Sequence, residues 1–272
     1  MFKKIKIGII GGSGLYEFLT PAFQAKAGAR TISVTTPFGK PSDRILLFEY
    51  ASQKIAFLPR HGKQHRYPPH KINYRANLYA LKKLGVEKVI APCAVGSLRP
   101  KISPGVFVIV DQFIDRTKAR LDTYFDGPKT VHISMAQPYC PQLRKLAVKS
   151  CVKLKIPFQQ KGTAVIIEGP RFCSKAESSY YAKIGDVINM TQYPEVVLAR
   201  ELEMCYLNIS LVTDYDAGLK GRGDIEPVTA QQVIKTFKQN SEKLKKLILS
   251  IIKNMPSQRR CPCGSALNQA GL

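Results

Sequence analysis

The chain has 272 residues, enough for a large hydrophobic core, and its 44% hydrophobic and 22% charged content excludes a disordered or fibrous class. No apolar run approaches the roughly 20 residues a bilayer span needs, and the basic start Met1–Lys4 meets glycines after one strand length, a poor secretory leader, so a cytoplasmic location is expected. The net charge of +23 could draw polyanions, but the lysines and arginines are spread along the chain without a basic arm, so neither a specific nucleic-acid partner nor a membrane is expected.

The first predicted strand, Lys6–Ile10, stops at Gly11-Gly12-Ser13-Gly14. A dinucleotide fingerprint would need a third glycine where Glu17 stands, and an acid some 20 positions on, where the Thr31–Thr35 segment has none. A triphosphate loop would need Gly-Lys-Ser/Thr, also missing. What remains is a tight turn of backbone N–H groups with one serine hydroxyl, suited to a small oxyanion.

Strands Arg44–Tyr50 and Lys54–Leu58 follow, the second ending at Pro59-Arg60-His61-Gly62. An arginine fork can bind two phosphate oxygens in parallel, and the neighbouring imidazole can donate a further hydrogen bond. His65 and His70 lie close by without a carboxylate, so no metal triad is expected there. Helix Lys71–Leu84 leads to strand Lys88–Pro92, followed by Cys93-Ala94-Val95-Gly96-Ser97. Then come strand Val106–Ile114, helix Pro141–Leu154, strand Gly162–Glu168, helix Ser174–Ile184, strand Val187–Met190 and helix Pro194–Glu203.

Strand Cys205–Asp214 closes the series, and Asp216 lies two residues beyond Asp214, on the same side if the backbone stays extended. Paired carboxyls can do acid and base work, or recognise a purine by donating to N7 and accepting from an exocyclic amine. Leu219–Pro227 reads as a mobile loop. Helix Thr229–Asn254 carries Val233, Phe237, Leu244, Leu247, Ile248 and Ile251 on one stripe, lysines elsewhere, and Thr229 as its N-cap.

This order predicts an α/β fold: a single domain over 1–272, with a central mixed, twisted sheet flanked by helices and a tail over 256–272. Seven scattered cysteines do not make a secreted disulfide framework. Within the tail, Cys261-Pro262-Cys263 cannot fill a four-ligand site without help and has no histidine nearby, so a redox or stabilising pair is the reading and no metal is expected. In open α/β sheets ligands lie beyond the carboxyl ends of the strands, which directs attention to the residues just after each apolar run.

Those residues sit within "IGIIGGSGLYEF", "TPFGKPSD", "LPRHGKQHRYPPHKINYRANLYALKKLG", "VGSL", "DQFIDRT", "GTAVIIEGPRF", "DVINMTQYPEVVLARE" and "TDYDAG". Together they resemble the trimeric purine nucleoside phosphorylase family, most closely its branch acting on 5′-methylthioadenosine. "RCPCGSAL" resembles the Cys-x-Cys tail of some prokaryotic members. The resemblance implies attack of inorganic phosphate on C1′ of the nucleoside while the purine leaves, with phosphate as co-substrate and no metal or organic cofactor. A hydrolytic nucleosidase would dispense with phosphate, and Arg60 and His61 argue against that.

By the same resemblance Ser13, Arg60, His61, Cys93, Ala94 and Thr191 match phosphate positions, and Met190 lies against the ribose. Phe172 packs on the base, with Cys173 beside it. Thr213, Asp214 and Asp216 contact the purine edge, Asp214 as the catalytic acid. Ala230, Val233 and Ile234 border an apolar 5′ pocket, and His132 reaches into the neighbouring subunit, which implies a homotrimer or a dimer of trimers. Three positions depart from the usual pattern: Cys93 for threonine or asparagine, Cys173 for serine, and Ala230 for valine, the last enlarging the 5′ pocket. Members preferring 6-oxopurines commonly carry asparagine near the aspartates. The pair here implies 6-aminopurine substrates, the alternative being methylthioinosine, inosine or guanosine.

Overall fold

The structure is a computed structural model describing residues 5–12, 15, 28–219, 223, 225–268 and 270–271. Its organising element is β5 (Lys88–Ser97), which serves three neighbours. One edge pairs in parallel with β11 (Cys205–Asp214) over almost the whole strand. The other edge pairs in parallel with β1 (Ile7–Gly11) only through Ile90, and antiparallel with β10 (Val187–Asn189) only at Gly96 and Ser97. Residues 91–95 therefore face a gap between β1 and β10, where the sheet divides.

Beyond β1 lie β4 (Gln53–Pro59), β3 (Ile45–Tyr50) and β2 (Arg30–Ile32); beyond β10 lie β9 (Thr163–Ile167) and β7 (Gln112–Arg116). The short strands β6 (Phe107–Val108) and β8 (Phe158–Gln159) extend the sheet from β11.

Helices cover both faces, so the central strands read as nearly continuous apolar runs. Tyr206 and Val212 of β11 join a core with α1 (Tyr74–Lys83) and α4 (Gln192–Glu201). The alternate residues Cys205, Leu207, Ile209 and Leu211 join a second core with α2 (Pro141–Lys153) and α5 (Ala230–Lys253). The short α3 (Lys175–Tyr181) is closed by a capping box from Ser174 and Glu177. The expected cap on α5 is present, with Thr229 accepting from the Gln232 N–H.

Several boundaries differ from those read off the sequence. The Val106–Ile114 run is two strands, because β6 pairs with β11 while β7 crosses to the far edge beside β9. Between them Arg144 takes the carbonyls of Ile109 and Val110. The strand expected to end at Pro92 continues through Ser97, so Cys93–Ser97 lie within β5 rather than beyond it. Pro92 falls just past the last residue paired with β1, where a missing N–H costs no ladder bond on that edge. Helix α1 starts later than expected, at Tyr74, where the Asn73 side chain accepts from the Ala76 N–H. The described residues of the tail pack back on the protein, with Cys263 in the same core as residues of α2 and α5. Among the described residues no helix is long and apolar enough to cross a membrane.

Candidate active site

The gap in the sheet opens into a cleft of about 680 Å³, a size suited to a small organic ligand. Its floor is β5, its walls are the ends of β1, β4, β10 and β11, and the first turns of α5 overhang it.

At one end Arg60 follows β4 and is only 2% exposed. Its fork is turned away from the cleft: Nε donates to Glu195 Oε1 at 2.5 Å and Nη2 to Glu195 Oε2 at 3.1 Å. Nη2 also donates to the Ile10 carbonyl and Nη1 to that of Pro92. Parallel binding of two phosphate oxygens by this fork is thus corrected. A guanidinium this deeply buried needs a carboxylate, and the pairing leaves one Nη1 N–H for a ligand. Burial opposes its charge, but Glu195 outweighs burial and holds the pKa above the ordinary arginine value.

His61 is also corrected as a ready donor. Its Nδ1 donates to the Tyr67 carbonyl at 2.9 Å. Burial, then His65 stacked at 4.0 Å, then Arg60 push its pKa down to about 3. The neutral ring offers Nε2 as an acceptor, for example to a P–OH, and donates there only when an anion recruits a second proton.

Thr191 and the unpaired edge of β5 complete this end. Asn189 organises it: Oδ1 accepts from the N–H groups of Thr191 and Gln192 at 2.7 and 2.9 Å, and Nδ2 donates to the Ala94 carbonyl at 2.9 Å. In extended backbone a residue's N–H and C=O share an edge, so the Ala94 amide faces the same gap. Cys93 lines the cleft, but its sulfur meets Asn208, Ser210 and Gln192, and burial raises its pKa, so it serves as a neutral thiol.

At the other end Asp214 ends β11. Its Oδ2 accepts from Thr213 Oγ1 at 2.7 Å and its Oδ1 from the Asp216 N–H at 2.8 Å. Burial pushes its pKa up to about 6, against those two bonds, with Asp216 adding to the rise. Asp216 reaches the cleft for a different reason than strand alternation: the chain turns after Asp214 and Asp216 adopts φ 51°. Its Oδ2 is buried without a hydrogen-bond partner among the described residues, and burial raises its pKa. The pair can lie against β5 because Gly96 has no side chain; a Cβ there would stand 2.8 Å from Asp214 Oδ1.

Phe172, Met190 and Ile188 form an apolar wall, with Ala230, Val233 and Ile234 of α5 opposite. Cys173 stands behind that wall, where burial and then Asp216 raise its thiol pKa. His132 lies outside the cleft; its N–H donates to the Ala270 carbonyl at 2.7 Å. Ser13 lies outside the described residues, as does part of the Leu219–Pro227 loop.

Sequence reasoning missed Glu195, Asn189 as an organiser, and Arg120; the exposed Lys238 of α5 also lines the cleft. Arg120 donates to the Met190, Tyr193 and Glu168 carbonyls and to the Glu168 carboxylate, tying together the segments that carry the apolar wall. The one available signal for Glu195 was a lone carboxylate before the apolar run Val196–Ala199, which asks for a buried cation.

Comparison with known proteins gives this geometry a family. The model of the phosphorylase superfamily matches residues 6–253. The chain belongs to that superfamily. Among its relatives is an S-methyl-5′-thioadenosine phosphorylase of Thermofilum pendens, 51% identical over 98% of this chain and 99% of that one. A purine nucleoside phosphorylase of Streptomyces coelicolor is 45% identical over 97% of this chain and 95% of its own length. The crystal structure of a methylthioadenosine phosphorylase from an antarctic soil metagenomic library superimposes with a TM-score of 0.89, at 38% identity, covering 99% of this chain and 93% of that one. Relatives of this superfamily member thus carry two substrate names, and the residues around the base decide between them.

Proposed function

We propose that the chain catalyses the phosphorolysis of 5′-methylthioadenosine to adenine and 5-methylthioribose 1-phosphate. A phosphate oxygen bonds to C1′, the C1′–N9 bond breaks, and its electron pair leaves with the purine. Positive charge on the sugar is met by the phosphate anion, and negative charge on the purine by a proton passed from Asp214 to N7. This displacement involves no net oxidation, and phosphate enters as co-substrate. The Ala94 amide, Thr191, the remaining Arg60 N–H and His61 are the groups assigned to phosphate, with Ser13.

The observation that carries the reading is the carboxyl pair at the end of β11. Asp214 has a pKa of about 6, so it holds a proton far more readily than an ordinary aspartate. Asp216 keeps a buried oxygen without a partner among the described residues, an acceptor suited to a 6-amino group and hostile to a 6-oxo oxygen. The apolar wall of Val233 and Ile234 suits a methylthio group. Phe172 and Ile234 are 39% and 54% exposed in the single chain, apolar area at the cleft that a ligand or a neighbouring subunit would cover, in keeping with the homotrimer or dimer of trimers that the resemblance implies.

Methylthioadenosine, adenosine, methylthioinosine and inosine compared at saturating phosphate test the base assignment. The highest kcat/KM is expected for methylthioadenosine. Preference for either 6-oxo substrate would instead assign a 6-oxopurine nucleoside phosphorylase.

A further inference from the structure

Cys261 and Cys263 cannot complete a metal site by themselves, but the fold brings them the missing half. Cys140 immediately precedes α2 and Cys205 begins β11, and both point their thiols at the tail. The sulfurs of Cys140, Cys205, Cys261 and Cys263 all lie within 4.8 Å of one another, with Cys205 and Cys261 at 3.4 Å. All four are free cysteines, and Cys140, Cys205 and Cys263 are at most 2% exposed. The cluster is separate from the cleft, and phosphorolysis has no use for it.

We propose that these four cysteines form a structural site for one zinc ion. Zinc–sulfur bonds of about 2.3 Å in a tetrahedron place the sulfurs roughly 3.8 Å apart, within the observed spread. Four thiolates leave no open position for water or substrate, which marks a structural rather than a catalytic centre. An all-sulfur tetrahedral donor set is the chemistry that suits zinc, against the oxygen-rich sites of magnesium or calcium. On binding, Zn²⁺ and four thiols give a tetrathiolate of net charge −2 and release four protons. Arg200 Nη1, 3.8 Å from the Cys263 sulfur, lies where it offsets part of that charge and hydrogen-bonds a ligand.

The site would fasten three distant segments: the start of α2, the start of β11 and the tail. The tail continues to Ala270 and Gly271, which bond to His132 and bridge to Val131. Zinc thus anchors the segment that pairs with His132 from a point outside the cleft lining.

The test is the zinc content of the full chain, purified in reducing buffer, supplied with Zn²⁺ and then freed of excess ion. One zinc per chain is expected, with four fewer thiols open to titration than after removal by a strong chelator. Cobalt(II) in its place should give the intense visible absorption of a tetrahedral tetrathiolate. Stripping zinc with chelator and reductant should lower the Tm, and added zinc should restore it. Cys261→Ser and Cys263→Ser should lose tight zinc binding, whereas Cys151→Ser, outside the cluster, should keep it. The zinc content of the unaltered chain decides the proposal even where a substitution prevents folding. Background zinc with all four thiols reactive would overturn the proposal. So would an intact mass showing the four cysteines joined in two disulfides that persist when the protein is prepared under reduction.

Discussion

Asp214 has its ordinary carboxyl chemistry reset by burial at the end of β11. Its folded-state pKa of about 6 lies above the roughly 3.9 of an unfolded aspartate. The folded protein therefore binds this proton more tightly. The resulting stabilisation is full below about pH 4 and is lost as pH rises through about 6. His61 works in the opposite sense: with its pKa lowered to about 3, its contribution is present above the unfolded value of about 6.5 and is lost as pH falls through 3. For catalysis the protonated Asp214 is the useful form, so kcat/KM should fall on the alkaline side with an apparent pKa near 6. Asp214→Asn should lower kcat/KM by about 10²–10⁴-fold and remove that limb from the pH–rate profile. A limb unchanged in Asp214→Asn would assign the titration to another group. Both aspartates were legible in the sequence because they follow a clear apolar run. That Asp216 arrives by a turn rather than by strand alternation was not, because the turn depends on its N–H meeting the Asp214 carboxylate.

At the scale of elements, Arg60 and Glu195 join the end of β4 to α4 across 135 positions of sequence, with Tyr206 of β11 also donating to Glu195 at 2.8 Å. The bidentate pair is buried at 2% and 0% side-chain exposure. Removing one charge leaves the other uncompensated, so Glu195→Gln should destabilise the fold by about 3–5 kcal/mol, read from denaturant unfolding. A loss under about 0.5 kcal/mol would show that the pair is solvated in solution. Periodic elements such as α5 and the paired strands of β3 and β4 were legible because their patterns are local. The length of β5, the division of β6 from β7 and the direction of the Arg60 fork were not. Each is decided by a partner far away in sequence: β11 and β10 for the first, β9 for the second, Glu195 for the third.

For the molecule as a whole, the division of the sheet at β5 positions the function. β1 stops pairing at Ile90 and β10 begins at Gly96, so one stretch of central strand keeps its edge open to a ligand. The sequence signalled this region through motifs whose members are scattered, and folding brings Arg60, Thr191 and Asp214 to one cleft. The two tail cysteines have no further ligand residue near them in sequence, whereas the fold brings Cys140 and Cys205 beside them. The central claim is phosphorolysis of 5′-methylthioadenosine. Its most direct measurement is to incubate the protein with that nucleoside, with and without inorganic phosphate, and to identify the products. The account predicts adenine and 5-methylthioribose 1-phosphate in equal amounts, formed only when phosphate is present. Adenine released at an undiminished rate without phosphate, together with free methylthioribose, would contradict it.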